Sequence, residues 1–166
     1  LLFERFKEEA TDCSLDAKVV LGRVARDLTP TSHPGHVSAI IACADILSER
    51  YEKEESRADL DELVTLRRAA WASMFPLDPR RQMSLSALDE CLYKCFKRRG
   101  GIADLEEVIS LRRLALESAS LPDCCRSLVH LANALRERYQ VLRLRNDLEE
   151  TIQLASAALV LDPLDH

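Results

Sequence analysis

The chain has 166 residues, of which 47% are hydrophobic, 31% are charged and 5% are aromatic, and its formal net charge is −5. This apolar content excludes a disordered segment, while four Gly and six Pro residues are too few for the many turns of a β-sandwich or a β-barrel. The negative charge without a basic stripe argues against nucleic acid as a partner, and no apolar run approaches the roughly 20 residues that span a membrane. The composition therefore predicts an all-α protein.

Taken in chain order, the sequence predicts two kinds of helix, A and B, which alternate. The A helices are expected at 1–9 (the end of one helix), 36–53, 81–98 and 124–142. The B helices are expected to begin at Ser14, Asp59, Asp104 and Asp147, the last of them ending near 161. Proline-containing turns separate each B helix from the next A helix, because proline removes a backbone donor and ends a helix.

One repeat unit accounts for this alternation. The segment that begins at Asp59 recurs 45 residues later at Asp104 and 43 residues after that at Asp147. We expect the Asp or Ser that opens each B helix to be its N-cap. Positions of the A helices keep the same steps, and their leucines, Leu92 and Leu135 among them, are expected to be buried between paired helices. These positions are Leu2, Leu47, Leu92 and Leu135, with Phe6, Tyr51, Phe96 and Tyr139.

The last unit carries residues typical of a known repeat. Leu128, Leu131, Ala132 and Leu135 on its A helix, followed by the closing Leu161-Asp162-Pro163, resemble a tetratricopeptide repeat. The period is longer than that family's usual length of about 34 residues. With His33-Pro34-Gly35-His36 before an A helix, it is similar to the long-period repeats of fungal proteins that carry a caspase-like CHAT peptidase domain.

This resemblance implies an α-solenoid of antiparallel helical hairpins wound into a right-handed superhelix of about 3.5 repeats. The whole chain, 1–166, is then one repeat domain, and we expect it to be a fragment of a longer protein. Its units are expected at 1–30 (partial), 31–76, 77–121 and 122–163.

The six cysteines do not form a zinc or disulfide pattern. Cys91 and Cys95 are four residues apart on one helix, Cys124 and Cys125 are adjacent, and no CxxC pair exists. We interpret them as free thiols of a reducing, cytoplasmic environment. Cys91 aligns with core positions, whereas Cys95 aligns with arginines and is expected to be exposed. A metal site at Cys91, Cys95 and His130, or a redox switch at the adjacent pair, is the alternative.

Catalytic residues are not predicted, and neither is a cofactor or a metal. No Ser or Cys lies in a motif with an oriented histidine base, and the glycines do not form a phosphate loop. We interpret His33 and His36 as part of an entry turn, with a metal or pH-sensing pair as the alternative. The recurring pairs Arg67-Arg68 and Arg112-Arg113 are expected to form a solvated ladder with first-turn acids.

A binding groove is the remaining candidate. In a repeat stack the A helices line the concave surface, and Asn133 resembles the asparagine with which many such repeats hold a peptide backbone. Charge along this lining changes sign from acidic to basic, which predicts a dipolar ligand with its acidic part near Arg126 and Arg136. The groove residues are Asp45, Glu49, Glu90, Tyr93, Lys94, Arg126, Asn133, Arg136 and Glu137.

The sequence therefore predicts a protein-interaction module, not an enzyme, that binds a peptide segment or a neighbouring domain, with no nucleic acid or membrane as partner. A structural or oligomerisation arm is the alternative, as is a regulatory sensor arm of a larger caspase-like (CHAT) or nucleotide-binding protein. The apolar ends of the stack are expected to favour self-association.

Overall fold

A computed structural model describes residues 14–119 and 121–161, and within them the chain is all-α. The predicted A helix at 1–9 lies outside the described residues, as do the predictions for Leu2, Phe6 and Cys13 and for Asp162-Pro163. The predicted helix boundaries agree with the observed ones to within three residues or fewer. The helices are α1 Leu15–Asp27, α2 His36–Glu54, α3 Arg57–Ala72, α4 Arg81–Arg99, α5 Ile102–Glu117, α6 Leu121–Leu142 and α7 Arg145–Leu161.

The chain divides into two compact units, Leu1–Ser84 and Leu85–His166. In the first unit, α2 packs against both α1 and α3, and in the second unit α6 packs against both α5 and α7. Within each unit, these helices contact their neighbours in sequence, which is the packing expected of a helical repeat.

Consecutive A and B helices are antiparallel. In the second unit, Arg138 near the end of α6 contacts Asp147 at the start of α7, and Cys125 near the start of α6 donates its S–H to the carbonyl of Ala158 near the end of α7. In the α2–α3 hairpin, Arg50 contacts Asp59, and the earlier α2 residue Asp45 contacts the later α3 residue Arg67. These two helices are therefore antiparallel as well.

The A-to-B turn is two residues long and has the same backbone conformation in all three hairpins. Each A helix ends in a left-handed residue: Glu55 (φ 52°), Gly100 (φ 67°) and Arg143 (φ 59°). In each case this residue donates its N–H to the aromatic residue four positions earlier, at 2.8, 2.7 and 2.8 Å. Glycine adopts this conformation without strain, and the other two residues adopt it at some cost.

The repeat positions form the cores. Leu47, Leu60 and Leu63 are fully buried in the first unit, and Leu92 and Leu135 in the second, which confirms the predicted burial of the last two. Cys91 is buried as predicted. The five cysteines among the described residues are free thiols, of which Cys124 and Cys125 are half-buried.

An ion pair closes the first and third hairpins at the same repeat position. Arg50 of α2 binds Asp59 of α3 through two hydrogen bonds of 2.6 and 2.7 Å, and Arg138 of α6 binds Asp147 of α7 at 2.7 and 2.9 Å. Both aspartates are buried. The carboxylate hydrogen bond raises the pKa of each arginine. We call this contact the hairpin ion pair.

Two sequence predictions are corrected by this arrangement. Asp59, Asp104 and Asp147 are not N-caps, because each is the third residue of its helix, and the carboxylates of Asp59 and Asp147 face arginine. Of the four predicted caps, Ser14 alone is observed, its side chain accepting a hydrogen bond from Ala17 N at 3.4 Å. Cys95 is buried. It stands at the repeat position of Arg50 and Arg138, whose side chains are themselves only 14% and 18% exposed, so a charged residue at the aligned position did not mean exposure.

The arginine ladder was also wrong. Arg67 is buried and binds Asp45 at 2.7 Å, and Arg112 binds Asp89 at 2.8 and 3.1 Å. Both partners lie on the preceding A helix, so these arginines join the two helices of a hairpin. Arg113 does face solvent, where it binds Glu150 of α7.

Leu135→Ala is expected to destabilise the protein by about 2–5 kcal/mol, because it leaves a cavity between α6 and its neighbours. Urea unfolding followed by circular dichroism measures this change. Leu77→Ala is the control, since Leu77 is 96% exposed. Equal stability of Leu135→Ala and the parent would show that the assignment of the α6 core face is wrong.

Arg138→Met is expected to cost about 3–5 kcal/mol at neutral pH, because it leaves the buried carboxylate of Asp147 without its partner. The matched control is Asp104→Asn, since Cys95 stands where the hairpin arginine would be and no hydrogen bond to Asp104 is formed within the described residues. Urea unfolding followed by circular dichroism measures the stability of both variants. A larger loss for Asp104→Asn than for Arg138→Met would contradict this role of the hairpin ion pair.

Candidate functional site

The nine predicted groove residues fall into both units. Asp45 and Glu49 lie on α2 in the first unit, and the other seven lie on α4 and α6 in the second. In the first unit, Asp45 binds the buried Arg67, and Glu49 accepts a hydrogen bond from Lys53 at 3.0 Å, which lowers the pKa of Glu49. Both acidic charges are therefore compensated within their own unit.

The acids of the second unit are paired as well. Glu90 binds Lys94 one helical turn away at 2.8 Å. Glu137 of α6 accepts hydrogen bonds from the Tyr93 hydroxyl at 3.3 Å and from Lys97 at 3.1 Å. The structure therefore brings the predicted residues Tyr93 and Glu137 together across α4 and α6.

Two cations of this contact were missed by the sequence analysis. The hydrogen bond to Glu137 raises the pKa of Lys97, whose ammonium also lies 5.8 Å from the centre of the Tyr93 ring. The guanidinium carbon of Arg112 lies 4.9 Å from the centre of the same ring. Lys97 could have been found, because it is four residues after Tyr93 and shares its helix face. Arg112 comes from a B helix, and only tertiary packing brings it there.

What remains unpaired is a row of side chains along α6. Arg126, Val129, His130, Asn133 and Arg136 recur every three or four residues, so they share one side of the helix, and all five are exposed. We call this set the α6 stripe. Within the part of the chain that the structure describes, Arg126, Asn133 and Arg136 form no side-chain hydrogen bond or ion pair.

This pairing revises the charge pattern expected of the surface. Glu90 and Glu137 both contribute to the predicted change of charge, and each is paired with a lysine within 3.1 Å. The uncompensated charge on the second unit's part of the surface is the positive charge of Arg126 and Arg136. The unpaired charge on this part of the surface is therefore of one sign.

The remaining candidates have structural roles in the described residues. His33 Nδ1 accepts from Gly35 N at 3.0 Å, and His36 Nδ1 lies 2.8 Å from the carbonyl of Thr29, so both rings hydrogen-bond within the entry turn. No group of three or more His, Cys, Asp or Glu side chains in 14–119 and 121–161 is placed to hold a metal ion.

No family model matches the chain, and a comparison with curated proteins finds no match. Among the helices described above, none is both long enough and apolar enough to cross a membrane.

The pKa of His130 depends on the charged side chains near the α6 stripe. Partial burial lowers its pKa, and the charges of Arg112 and Arg126 lower it further. We expect its ring to titrate below the value of about 6.5 that an unfolded chain shows. Below that pH the unfolded state binds more protons at this ring than the folded state does. The free energy of unfolding therefore falls as the pH is lowered.

Proton NMR of the imidazole ring measures this midpoint, and His130→Gln assigns the signal. The same titration in urea gives the unfolded reference. A native midpoint at or above the unfolded one would contradict the placement of His130 beside two guanidinium groups.

Proposed function

We propose that the chain is a protein-interaction module that binds an acidic, extended protein segment along the α6 stripe. The observation that carries the proposal is the contrast between two sets of arginines. The first set binds carboxylates on a neighbouring helix and consists of Arg50, Arg67, Arg112 and Arg138. The second set, Arg126 and Arg136, is exposed on one side of α6 and binds no carboxylate within the described residues.

The spacing of the stripe defines the ligand. Arg126 and Arg136 are ten residues apart, which corresponds to about 15 Å along a helix at about 1.5 Å per residue. An extended chain covers this distance in four or five residues at about 3.3 Å each. The ligand would therefore carry two acidic side chains four or five positions apart.

Asn133 and Val129 favour an extended ligand over a helical one. The Asn133 amide can both donate to and accept from a peptide group, and only an extended segment leaves its backbone groups free for such contacts. Val129 offers an apolar contact between the two charges. In this proposal the chain contributes recognition and no chemistry, in keeping with its resemblance to tetratricopeptide repeats.

Binding of labelled dodecapeptides, measured by fluorescence anisotropy, tests this function. We expect peptides with Glu at positions i and i+4 or i+5 to bind more tightly than scrambled peptides with adjacent Glu residues. Binding should weaken as salt rises, because exposed charges are screened within about 10 Å at 0.1 M. His130 should titrate at a higher pH in the complex, since the bound carboxylates oppose the neighbouring arginines.

The variant Arg126→Ala/Arg136→Ala is expected to weaken binding by about tenfold or more, which corresponds to about 1.4 kcal/mol. Arg145→Ala is the matched control, because Arg145 is also an exposed arginine of the second unit, but it lies off the stripe and pairs with Glu149. If both variants weaken binding equally, the attraction is general and the stripe is not the site. If neither does, the contact surface lies elsewhere.

A further inference from the structure

The first half of the α6 stripe holds two basic side chains one helical turn apart. Arg126 and His130 are both exposed, and residues four apart on a helix lie side by side, with their Cβ atoms about 5–6 Å apart. Within the described residues, neither the Arg126 guanidinium nor the His130 ring forms a hydrogen bond. We call these two residues the Arg126–His130 pair.

The other end of the stripe holds a single basic side chain. The residues one turn from Arg136 are Ala132, which is buried, and Gln140, which carries no charge. The charge of Lys97 acts on Arg136 from α4, but the Lys97 ammonium is bound by Glu137 at 3.1 Å. The two ends of the stripe therefore differ, because one can carry two positive charges and the other only one.

The repeat fold does not require basic side chains at these two positions. Among the helices α2, α4 and α6, only α6 has them. At the repeat position of Arg126 the other two helices have Ser38 and Met83, and at that of His130 they have Ala42 and Ala87. The Arg126–His130 pair is therefore a feature of α6 and not of the repeat.

The same side of an A helix is open elsewhere in the second unit. Ser86 and Glu90 of α4 hold the repeat positions of Val129 and Asn133. Both are exposed, although α5, α6 and α7 follow α4 in the chain. Exposure of this side is thus a property of the A helices, and it leaves the Arg126–His130 pair accessible to a ligand.

The charges around the His130 ring come from three helices. Arg112 of α5 and Arg126 of α6 lower its pKa, after the larger effect of partial burial, and Asp89 of α4 raises it. Asp89 and Arg112 bind each other at 2.8 and 3.1 Å, so their charges offset one another. The positive charge of Arg126 is left over. A ligand with two negative charges would match both Arg126 and a protonated His130.

We propose that the Arg126–His130 pair binds a phosphorylated Ser or Thr side chain, and that His130 takes up a proton from solvent as this group binds. This inference rests on the proposed function and names the ligand at one end of the α6 stripe. A phosphate monoester carries about −1.5 to −2 charges at pH 7 and three acceptor oxygens, which is enough for both side chains. A carboxylate has one charge, which Arg126 alone can match through two parallel hydrogen bonds.

The spacing of the stripe then fixes the rest of the segment. With the phosphate at the Arg126–His130 pair, the single charge of Arg136 suits one carboxylate at the other end. The segment would therefore carry a phosphorylated residue and a Glu or Asp four or five positions apart, and it would have a polarity that a segment with two glutamates lacks.

Fluorescence anisotropy with matched dodecapeptides tests this assignment. The peptides carry phosphoserine or Glu at one position and Glu four positions away, and both orders along the peptide are measured. In one order, we expect the phosphopeptide to bind at least about fivefold more tightly than the Glu peptide, which is the gain that one further exposed ion pair can give.

Two variants show whether this preference comes from the Arg126–His130 pair. In His130→Gln, the ratio of the two affinities should fall to near one, because the Gln side chain cannot take up a proton. Arg136→Ala is the matched control from the other end of the stripe. It should weaken the binding of both peptides and leave their ratio as in the parent. A ratio that is unchanged in His130→Gln would show general attraction by charge and overturn the proposal.

NMR titration of the parent chain gives a readout that does not depend on a variant being folded. The imidazole midpoint of His130 should rise more with the phosphopeptide than with the Glu peptide. The ³¹P midpoint of the bound phosphate should fall below that of the free peptide, because nearby positive charge favours the dianion. A His130 midpoint that responds equally to both peptides would contradict the assignment.

The remaining outcomes separate this inference from the proposed function. Equal affinity for both peptides, with loss of binding in Arg126→Ala/Arg136→Ala, overturns the phosphate assignment and leaves the proposed function standing. Binding of neither peptide overturns both. Inorganic phosphate that competes as strongly as the phosphopeptide would show a site for the ion alone. Binding to vesicles of phosphatidylcholine and phosphatidic acid without binding of the phosphopeptide would assign the pair to a lipid headgroup. Either of these last two results also overturns the proposal.

Discussion

The left-handed residue at the end of each A helix is the constraint from which the rest of the structure follows. A residue with a positive φ lets a helix end and the chain turn back within a two-residue connection, and Glu55, Gly100 and Arg143 all adopt this conformation. The reversal places the end of the A helix beside the start of the B helix. Every contact of a hairpin, from the hairpin ion pair to the buried leucines, depends on that register.

Because the three A-to-B turns are equivalent, the three hairpins can be compared position by position. The first and third hairpins carry the ion pair, and the middle hairpin has Cys95 in place of its arginine, with Arg99 contacting the Cys95 sulfur at 3.4 Å. The A-to-B turn of that hairpin contains Gly100, the one left-handed residue of the three that adopts this conformation without strain. The middle hairpin therefore combines a relaxed turn with the absence of the ion pair.

The ion pairs of the second unit distinguish the α6 stripe from the other charged side chains of that unit. Its buried and half-buried arginines are matched to aspartates between helices, and the acids near Tyr93 are matched to lysines. Arg126 and Arg136, by contrast, have no carboxylate partner among the described residues and lie on one side of α6.

The sequence alone determined the helices, their boundaries and the buried repeat positions, because helix period and repeat period are properties of neighbouring residues. It also placed Tyr93, Asn133 and Arg136 on A helices, where they lie. It could not decide which charges remain free. The burial of Cys95, the pairing of Arg67 with Asp45 and the contact of Arg112 with Tyr93 join residues of different helices, so they depend on packing that no local pattern records. Only the tertiary structure showed that the acids of the predicted groove are neutralised, because an ion pair depends on the distance between two side chains and not on their order in the chain.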